Sequence, residues 1–162
     1  MKKTFWILVL LSLLPFATAH AWQGKVVKVL DGDSLKIKRG KELVEVRLYG
    51  VDCPEWDQAY GKKAKEFTKE QLLHKRVEVD PMDTDSYGRT VAMVSSSGKM
   101  INRQVVRAGL AWYYKKYCKK KPFCSELNTL EKEAKKQRRG LWQEKKPTAP
   151  WKWRKKQKSR KK

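Results

Sequence analysis

The sequence has few acidic residues and is dominated by basic ones. Among its 162 residues, 17 are Asp or Glu and 39 are Lys or Arg, which gives a formal charge of +22. A charge of this size exceeds what solubility requires and indicates a polyanionic partner. Nucleic acid, an anionic membrane surface and a heparin-like polymer all fit, because each is bound by release of counterions. The shortage of acidic residues therefore selects a class of partner and leaves the reaction open.

Cysteine and histidine are also scarce, which argues against a zinc site. The three cysteines, Cys53, Cys118 and Cys124, are accompanied by no C-x-x-C pair or histidine partner. Cys118 and Cys124 lie close together with Pro122 between them, a spacing that suits a loop-closing disulfide in an oxidising compartment. Cys53 is then expected to remain a thiol.

No apolar run is long enough to cross a bilayer. The longest run, residues 4–16, is shorter than the roughly 18–20 residues that a membrane span needs. Two lysines precede it and small residues of A-x-A type follow it, which is the order of a secretory signal. We therefore predict a signal peptide over residues 1–21, with cleavage after Ala21, or alternatively after Ala19. The mature protein is expected to be exported to the periplasm or the medium, without a stable membrane span.

Apolar residues then alternate along the chain in the manner of half-buried strands. The alternating residues between positions 24 and 51 are Val27, Val29, Leu35, Ile37, Val44, Val46 and Leu48. Turn residues at 31–33 and 39–40 divide this segment into three predicted antiparallel strands. Residues 77–79 and 90–95 predict a fourth and a fifth strand.

Three segments have helical spacing. Residues 60–75 show one apolar face on an otherwise charged helix, and a turn at residues 96–99 leads into a second helix. A third helix is predicted to begin with Ser125 as its N-cap and to stop at Gly140. Five short strands with three α-helices indicate an α+β fold, a small five-stranded β-barrel of OB type over residues 22–144.

The C-terminal segment, residues 145–162, is rich in Lys and Arg and contains two prolines and two tryptophans. It has no apolar periodicity. We therefore predict a disordered basic tail.

Two acidic motifs lie where the predicted strands end. They are D-G-D-S at residues 31–34 and D-C-P-E at residues 52–55. Asp-Gly is also a common turn signal, so either motif alone is more often structural. Arg47 makes the combination informative, because strand alternation places it on the face opposite Val46 and Leu48.

A second arginine and a tyrosine occur in D-S-Y-G-R at residues 85–89. Carboxylates can hold a hard cation and activate water, and guanidinium groups can bind phosphoryl oxygens in a bidentate manner. The combined motifs therefore suit metal-assisted hydrolysis of phosphodiesters.

The sequence resembles the thermonuclease, or staphylococcal nuclease-like, family over about residues 26–142. The resemblance lies in three motifs that occur in this order: D-G-D-S, R-L-Y-G-V-D-C-P-E and D-S-Y-G-R. The resemblance implies a calcium-dependent nuclease that cuts DNA and RNA and leaves 3′-phosphate ends. We expect a monomer that prefers single strands, because an OB face with aromatic side chains stacks on unpaired bases.

The resemblance also implies a metal site. Asp33 and Asp52 resemble the calcium carboxylates, and the backbone carbonyl of Cys53 resembles the third protein ligand. Cys53 stands where the best-known family member has threonine, which places a thiol near the site.

The remaining roles concern water and substrate. Glu55 resembles the base that activates water, and Arg47 and Arg89 resemble the phosphate-binding arginines. Asp85 and Tyr87 resemble residues beside the bound nucleotide.

Two further features bear on substrate binding. Ser86 replaces a lysine of the best-known member, which removes a phosphate contact. Tyr113, Tyr114 and Tyr117 fall near the position that stacks on a base in the family, and packing of an aromatic segment is an equally good interpretation.

Two other functions fit part of the sequence. A nucleic-acid-binding OB module without catalysis is the main alternative, since Tudor-associated relatives of the fold have lost the catalytic set. A basic surface protein that binds lipopolysaccharide or membrane would account for the tail and leave the motifs unexplained. The presence of all five catalytic and metal-binding positions favours the nuclease.

Overall fold

The computed structural model describes residues 20–160. The predicted signal segment up to residue 19 lies outside the described residues, so export stays a prediction. The described chain runs in the order β1 (Trp22–Val29), β2 (Ser34–Arg39), β3 (Glu42–Leu48), β4 (Val51–Asp52), α1 (Gly61–Leu72), β5 (Arg76–Thr84), β6 (Thr90–Ser96), β7 (Lys99–Met100), α2 (Ile101–Arg107), β8 (Trp112–Tyr113), α3 (Phe123–Lys136) and α4 (Pro150–Arg160). Short 3₁₀ helices occur at Lys115–Tyr117 and Gly140–Gln143.

The sheet closes into a barrel. Its strands follow the order β3-β2-β1-β5-β6-β7, and β3 also pairs with β6 in parallel. Most of the alternating residues of the first three strands supply the interior, where Leu35, Ile37 and Val46 are fully buried. In β1, however, the buried residue is Val26 and not Val27, because the pairing with β2 shifts register there. Period-two alternation is what a strand with one buried face requires. The predicted five-stranded OB-type barrel is confirmed, with β7 as a short addition to β6.

The helices lie beside the barrel and help to fix its loops. In α2, the buried side chain of Asn102 accepts a hydrogen bond from the backbone N–H of Val94 at 3.0 Å and donates one to the carbonyl of Tyr49, also at 3.0 Å. These bonds join the helix to β6 and to the loop after β3. In α3, the first helical residue is Phe123, so the predicted N-cap at Ser125 is wrong by one short turn.

The cysteines pair as predicted. A disulfide joins Cys118 to Cys124 at the start of α3, and Cys53 is a buried free thiol. Tyr49 lies beneath the disulfide loop and accepts hydrogen bonds from the backbone N–H groups of Lys119 and Lys120 at 2.6 and 3.0 Å. The bridge therefore closes a loop that also contacts the barrel.

The prediction of a disordered tail is wrong for residues 150–160. These residues form α4, and Pro150 at its start is buried together with the preceding Ala149. The lack of apolar periodicity did not mean disorder here, because α4 contacts the domain through individual aromatic side chains. Within residues 20–160, no helix combines the length and apolar character that crossing a membrane would need.

Candidate active site

The turn between β1 and β2 is held in one conformation by a side-chain hydrogen bond of its own and by contact with α1. The carboxylate of Asp31 accepts a 2.9 Å hydrogen bond from the N–H of Asp33, which fixes the turn locally. A Cβ on Gly32 would lie 2.8 Å from Ala64 of α1 and 2.8 Å from the Cys53 thiol, so only glycine allows this close approach. The turn thereby delivers the buried carboxylate of Asp33 to the end of the barrel.

Arg47 links the two acidic motifs. From β3 its guanidinium donates one 2.6 Å hydrogen bond to Asp33 and another to Asp52. Asp33 and Asp52 are buried, and the second oxygen of Asp33 accepts a 2.7 Å bond from the N–H of Cys53. The structure thus brings the two acidic motifs together at Arg47, on the strand face predicted for it.

Arg89 joins this cluster from the turn before β6. Its guanidinium binds Asp85 through Nε at 2.8 Å and Nη2 at 2.7 Å, while Nη1 lies 3.4 Å from the hydroxyl of Ser34. Ser34 in turn donates a 3.1 Å hydrogen bond to Asp33. Asp85 also accepts bonds from the N–H groups of Tyr87 and Arg89. Asp85 is therefore a support for Arg89.

Tyr87 is the most exposed aromatic residue of this region, with 82% of its surface accessible. The guanidinium of Arg89 lies 5.5 Å from the centre of its ring. This position leaves most of the ring open to a stacking partner beside Arg89.

Glu55 follows the second motif and is in contact with a residue that the sequence did not indicate. Its carboxylate accepts a 2.7 Å hydrogen bond from Arg154 in α4. Arg154 also binds Asp52, at 2.8 Å through Nη2. The sequence did contain one indication that this segment is ordered, the two tryptophans on either side of Lys152. Disordered segments contain few large aromatic side chains.

Burial and charge shift the acidity of these groups in different directions. Burial raises the pKa of Asp33 to about 8, assisted by the negative charges of Asp31 and Asp52 and opposed by Arg47. Burial also raises the pKa of the Cys53 thiol, so this group is neutral near pH 7. For Asp85, burial acts to raise the pKa, but the hydrogen bonds from Arg89 outweigh it and lower the pKa.

The oxygen donors fit a hard divalent cation. Two buried carboxylates converge here, and a backbone carbonyl follows them in sequence, which is the donor type that calcium prefers. Among residues 20–160, no group of three His, Cys, Asp or Glu side chains is arranged around one metal position, so a cation would need backbone, water or substrate oxygens as well. The Arg154 guanidinium already shows that Asp52 and Glu55 attract a positive charge.

Three tyrosines lie near the family's stacking position, and the charges of the acidic cluster act on one of them, Tyr114. Burial raises its pKa, and the charge of Asp52 adds to the shift, while Arg154 opposes it. Tyr113 pairs with β4 as part of β8, and Tyr117 packs against Tyr114 with ring centres 4.8 Å apart. The Tyr114 ring is itself stacked on Trp151, so this geometry singles out none of the three tyrosines as the residue that stacks on a base.

Comparison with known proteins agrees with this geometry. Residues 45–144 match the family model described as "Staphylococcal nuclease homologue". A protein named "Uncharacterized endonuclease" from Escherichia coli O157:H7 is 39% identical over 132 residues, which cover 81% of this chain and 84% of the relative. A "Micrococcal nuclease" from Shigella flexneri is 34% identical over 155 residues, with 88% of each chain covered.

A third relative extends the likeness to almost the whole chain. An "Uncharacterized endonuclease" of Haemophilus influenzae is 31% identical over 153 residues, which cover 94% of this chain and 84% of the relative. The family model, the relatives and the joined arginine–carboxylate motifs agree. The chain belongs to the staphylococcal nuclease family.

Proposed function

We propose that the chain is an exported, calcium-dependent nuclease that hydrolyses phosphodiester bonds in DNA and RNA and leaves 3′-phosphate ends. The observation that carries this proposal is the continuous set of contacts that runs from Arg89 through Ser34, Asp33 and Arg47 to Asp52. Export is supported by the signal-like N-terminus and agrees with the disulfide.

The buried carboxylates would supply the protein's part of the metal site. Asp33 and Asp52, with the carbonyl of Cys53, would hold calcium, which when bound neutralises charge on the scissile phosphate. Few protein ligands of modest charge predict weak affinity, in the roughly 10⁻⁴–10⁻³ M range of extracellular calcium modules. The neutral, buried thiol of Cys53 would not compete as a nucleophile.

Glu55 is the best candidate for the base. Its side chain is about one third exposed, so water can reach it, whereas Asp33 and Asp52 are buried. Glu55 would accept a proton from the water that attacks phosphorus. Arg47 and Arg89 would stabilise the charge that develops on the phosphoryl oxygens, since both guanidinium groups are fixed before substrate arrives.

Substrate would be held by charge and by stacking. The basic surface attracts the phosphate backbone. Two exposed rings lie close to site residues in sequence, since Trp56 follows Glu55 and Tyr87 lies two residues before Arg89. Unpaired bases expose the faces that such rings can stack on. We therefore infer a preference for single strands.

A cleavage assay tests the proposal directly. Purified protein is incubated with labelled single-stranded DNA, duplex DNA and RNA, first with calcium and then with excess chelator, and the product ends are tested with a phosphatase. Cleavage that the chelator abolishes and products with 3′-phosphates are expected. Asp52→Ala should lose metal-dependent cleavage, while Asp83→Ala, an exposed acid in β5, should behave like the parent. Binding of nucleic acid without cleavage would instead support the binding module.

A further inference from the structure

The C-terminal helix α4 lies over the candidate active site and contacts its central acids. The guanidinium of Arg154 donates to Asp52 at 2.8 Å and 3.2 Å and to Glu55 at 2.7 Å. With Arg47 bonded to the same Asp52 oxygen that receives the 3.2 Å bond, both oxygens of that carboxylate accept from arginine. A residue about a hundred positions away in sequence thus occupies the acceptor atoms that the proposed chemistry needs.

Aromatic side chains anchor the start of α4. The Trp151 ring stacks on Tyr114 with centres 5.3 Å apart and planes at 3°, and it meets Trp112 edge-on at 5.6 Å. The indole N–H of Trp153 lies 3.3 Å from the carboxylate of Asp57. Stacked and edge-to-face aromatic pairs of this kind stabilise a contact beyond the area that they bury. The helix is therefore held by two side chains that precede Arg154.

A hydrogen bond from the segment before α4 adds to this attachment. The side-chain amide of Gln58 donates to the carbonyl of Thr148, and the Gln58 side chain is itself buried. The loop that follows Glu55 is thus tied to the chain just ahead of the helix.

The remainder of α4 is a row of exposed positive charges. The helix contains six Lys or Arg residues and no acidic one, and Lys155, Lys156, Lys158 and Arg160 are exposed. A polyanion that approaches the site would meet these residues first, because charge at an exposed surface acts at a distance of about 10 Å in ordinary salt. The same helix therefore offers one inward arginine to the carboxylates and several outward cations to a nucleic acid strand.

We propose that α4 is an autoinhibitory latch, in which Arg154 occupies Asp52 and Glu55 until calcium and a nucleic acid strand together displace it. This inference rests on the proposed function, since it concerns the same metal ligand and the same base. With the latch closed, Glu55 cannot accept a proton from water through the oxygen that Arg154 binds, and Asp52 is neutralised by two guanidinium groups. Calcium competes for the carboxylates, and the strand competes for the basic side chains of α4.

The latch is expected to be weak enough to open. Arg154 keeps 38% of its side-chain surface accessible while its partner Asp52 is buried, so water reaches and screens the arginine end of the ion pair. If the latch is closed in roughly nine molecules of ten, the apparent dissociation constant for calcium rises about tenfold. A latch of this strength keeps activity low when calcium and substrate are absent, and it opens when both are present.

Three full-length variants test this inference by calcium binding and by amide hydrogen exchange. Arg154→Gln removes the ion pairs, Trp151→Ala loosens the anchor without changing charge, and Arg160→Gln removes an exposed charge from the same helix. Isothermal titration with calcium alone should show about tenfold tighter binding for the first two variants and no change for the third. In the parent, calcium with a non-cleavable single strand should speed exchange of the α4 amides, which in Trp151→Ala should already be fast.

The outcomes separate this inference from the proposed function. Equal calcium affinity in the parent and Trp151→Ala, with calcium-dependent cleavage intact, would overturn the latch and leave the nuclease standing. A fall in turnover for Arg154→Gln at unchanged calcium affinity would also overturn it, because Arg154 would then serve the reaction itself. If neither the parent nor any variant binds calcium, the latch fails together with the calcium-dependent function.

Discussion

The hydroxyl of Thr68 in α1 donates a 2.7 Å hydrogen bond to the carbonyl of Gly32, both groups lying in the interior. This bond ties the helix to the turn that carries Asp33. Thr68→Val keeps the shape of the side chain and removes the donor, so the carbonyl is left buried without its partner. We expect a loss of about 1–3 kcal/mol in the free energy of unfolding. Urea denaturation followed by circular dichroism measures it.

A matched control is available in α3. Thr129 is exposed and its hydroxyl bonds to Ser125 within the same helix. Thr129→Val should change stability by less than about 0.5 kcal/mol, as surface substitutions usually do. Equal effects at Thr68 and Thr129 would mean that the Gly32 bond does not stabilise the turn.

The base assignment is tested by Glu55→Gln. The amide keeps the size of the side chain but cannot take the proton of water, so single-turnover cleavage at saturating calcium should fall by at least about 10². Binding of a non-cleavable strand should stay within a few fold of the parent. Glu66→Gln, which alters an exposed acid of α1 paired with Lys69, serves as the control and should cleave normally. A Glu55→Gln rate close to that of the parent would exclude Glu55 as the base.

Arg89→Lys tests whether the guanidinium geometry matters. Arg89 uses Nε and Nη2 to hold Asp85 and directs Nη1 toward Ser34, and an ammonium group cannot do both. Turnover should fall by about 10²–10³ with the fold intact, since the lost donor faces developing charge. Arg103→Lys in α2, where the arginine pairs with Glu126 at the surface, should have little effect. Similar rates for both variants would remove Arg89 from the catalytic set.

The disulfide should matter for stability and not for chemistry. Replacing Cys118 and Cys124 together by alanine removes a short closed loop, and we expect the free energy of unfolding to drop by about 2–3 kcal/mol. A reducing agent should lower the stability of the parent by a similar amount and leave the double variant unchanged. If reduction leaves the free energy of unfolding of the parent unchanged, the disulfide does not stabilise the fold.

Much of the barrel and most of its site could be predicted because their signals are local. Val46 and Leu48 alternate with Arg47, and that pattern alone places the arginine on the face away from the core, where it meets Asp33 and Asp52. The motif D-S-Y-G-R likewise predicted Arg89 on a turn, and its ion pair with Asp85 is a contact within four residues.

The end of the chain could not be predicted in this way. The contacts of α4 join Arg154 to Asp52 and Trp151 to Tyr114, pairs that are far apart in sequence and have no periodic pattern. Composition favoured disorder because it counts charges and does not record where single aromatic rings dock. The start of α3 was misplaced for a related reason, since Ser125 has the typical N-cap chemistry but the helix begins at Phe123.

The exposed lysines of α4 should contribute to the salt dependence of nucleic-acid binding. A variant with Lys155, Lys156 and Lys158 all changed to Gln loses up to three phosphate contacts, each of which adds about 0.7 to the slope of log K against log salt for single strands. The control variant changes Lys25, Lys38 and Lys41 to Gln. These lysines lie near the C-terminal end of β2, whereas Asp33 precedes its N-terminal end. Fluorescence anisotropy with a non-cleavable strand from low to moderate salt should show a slope shallower by about 1–2 for the α4 variant only. If the two variants lose the same slope, binding depends on overall charge and α4 has no special position on the strand.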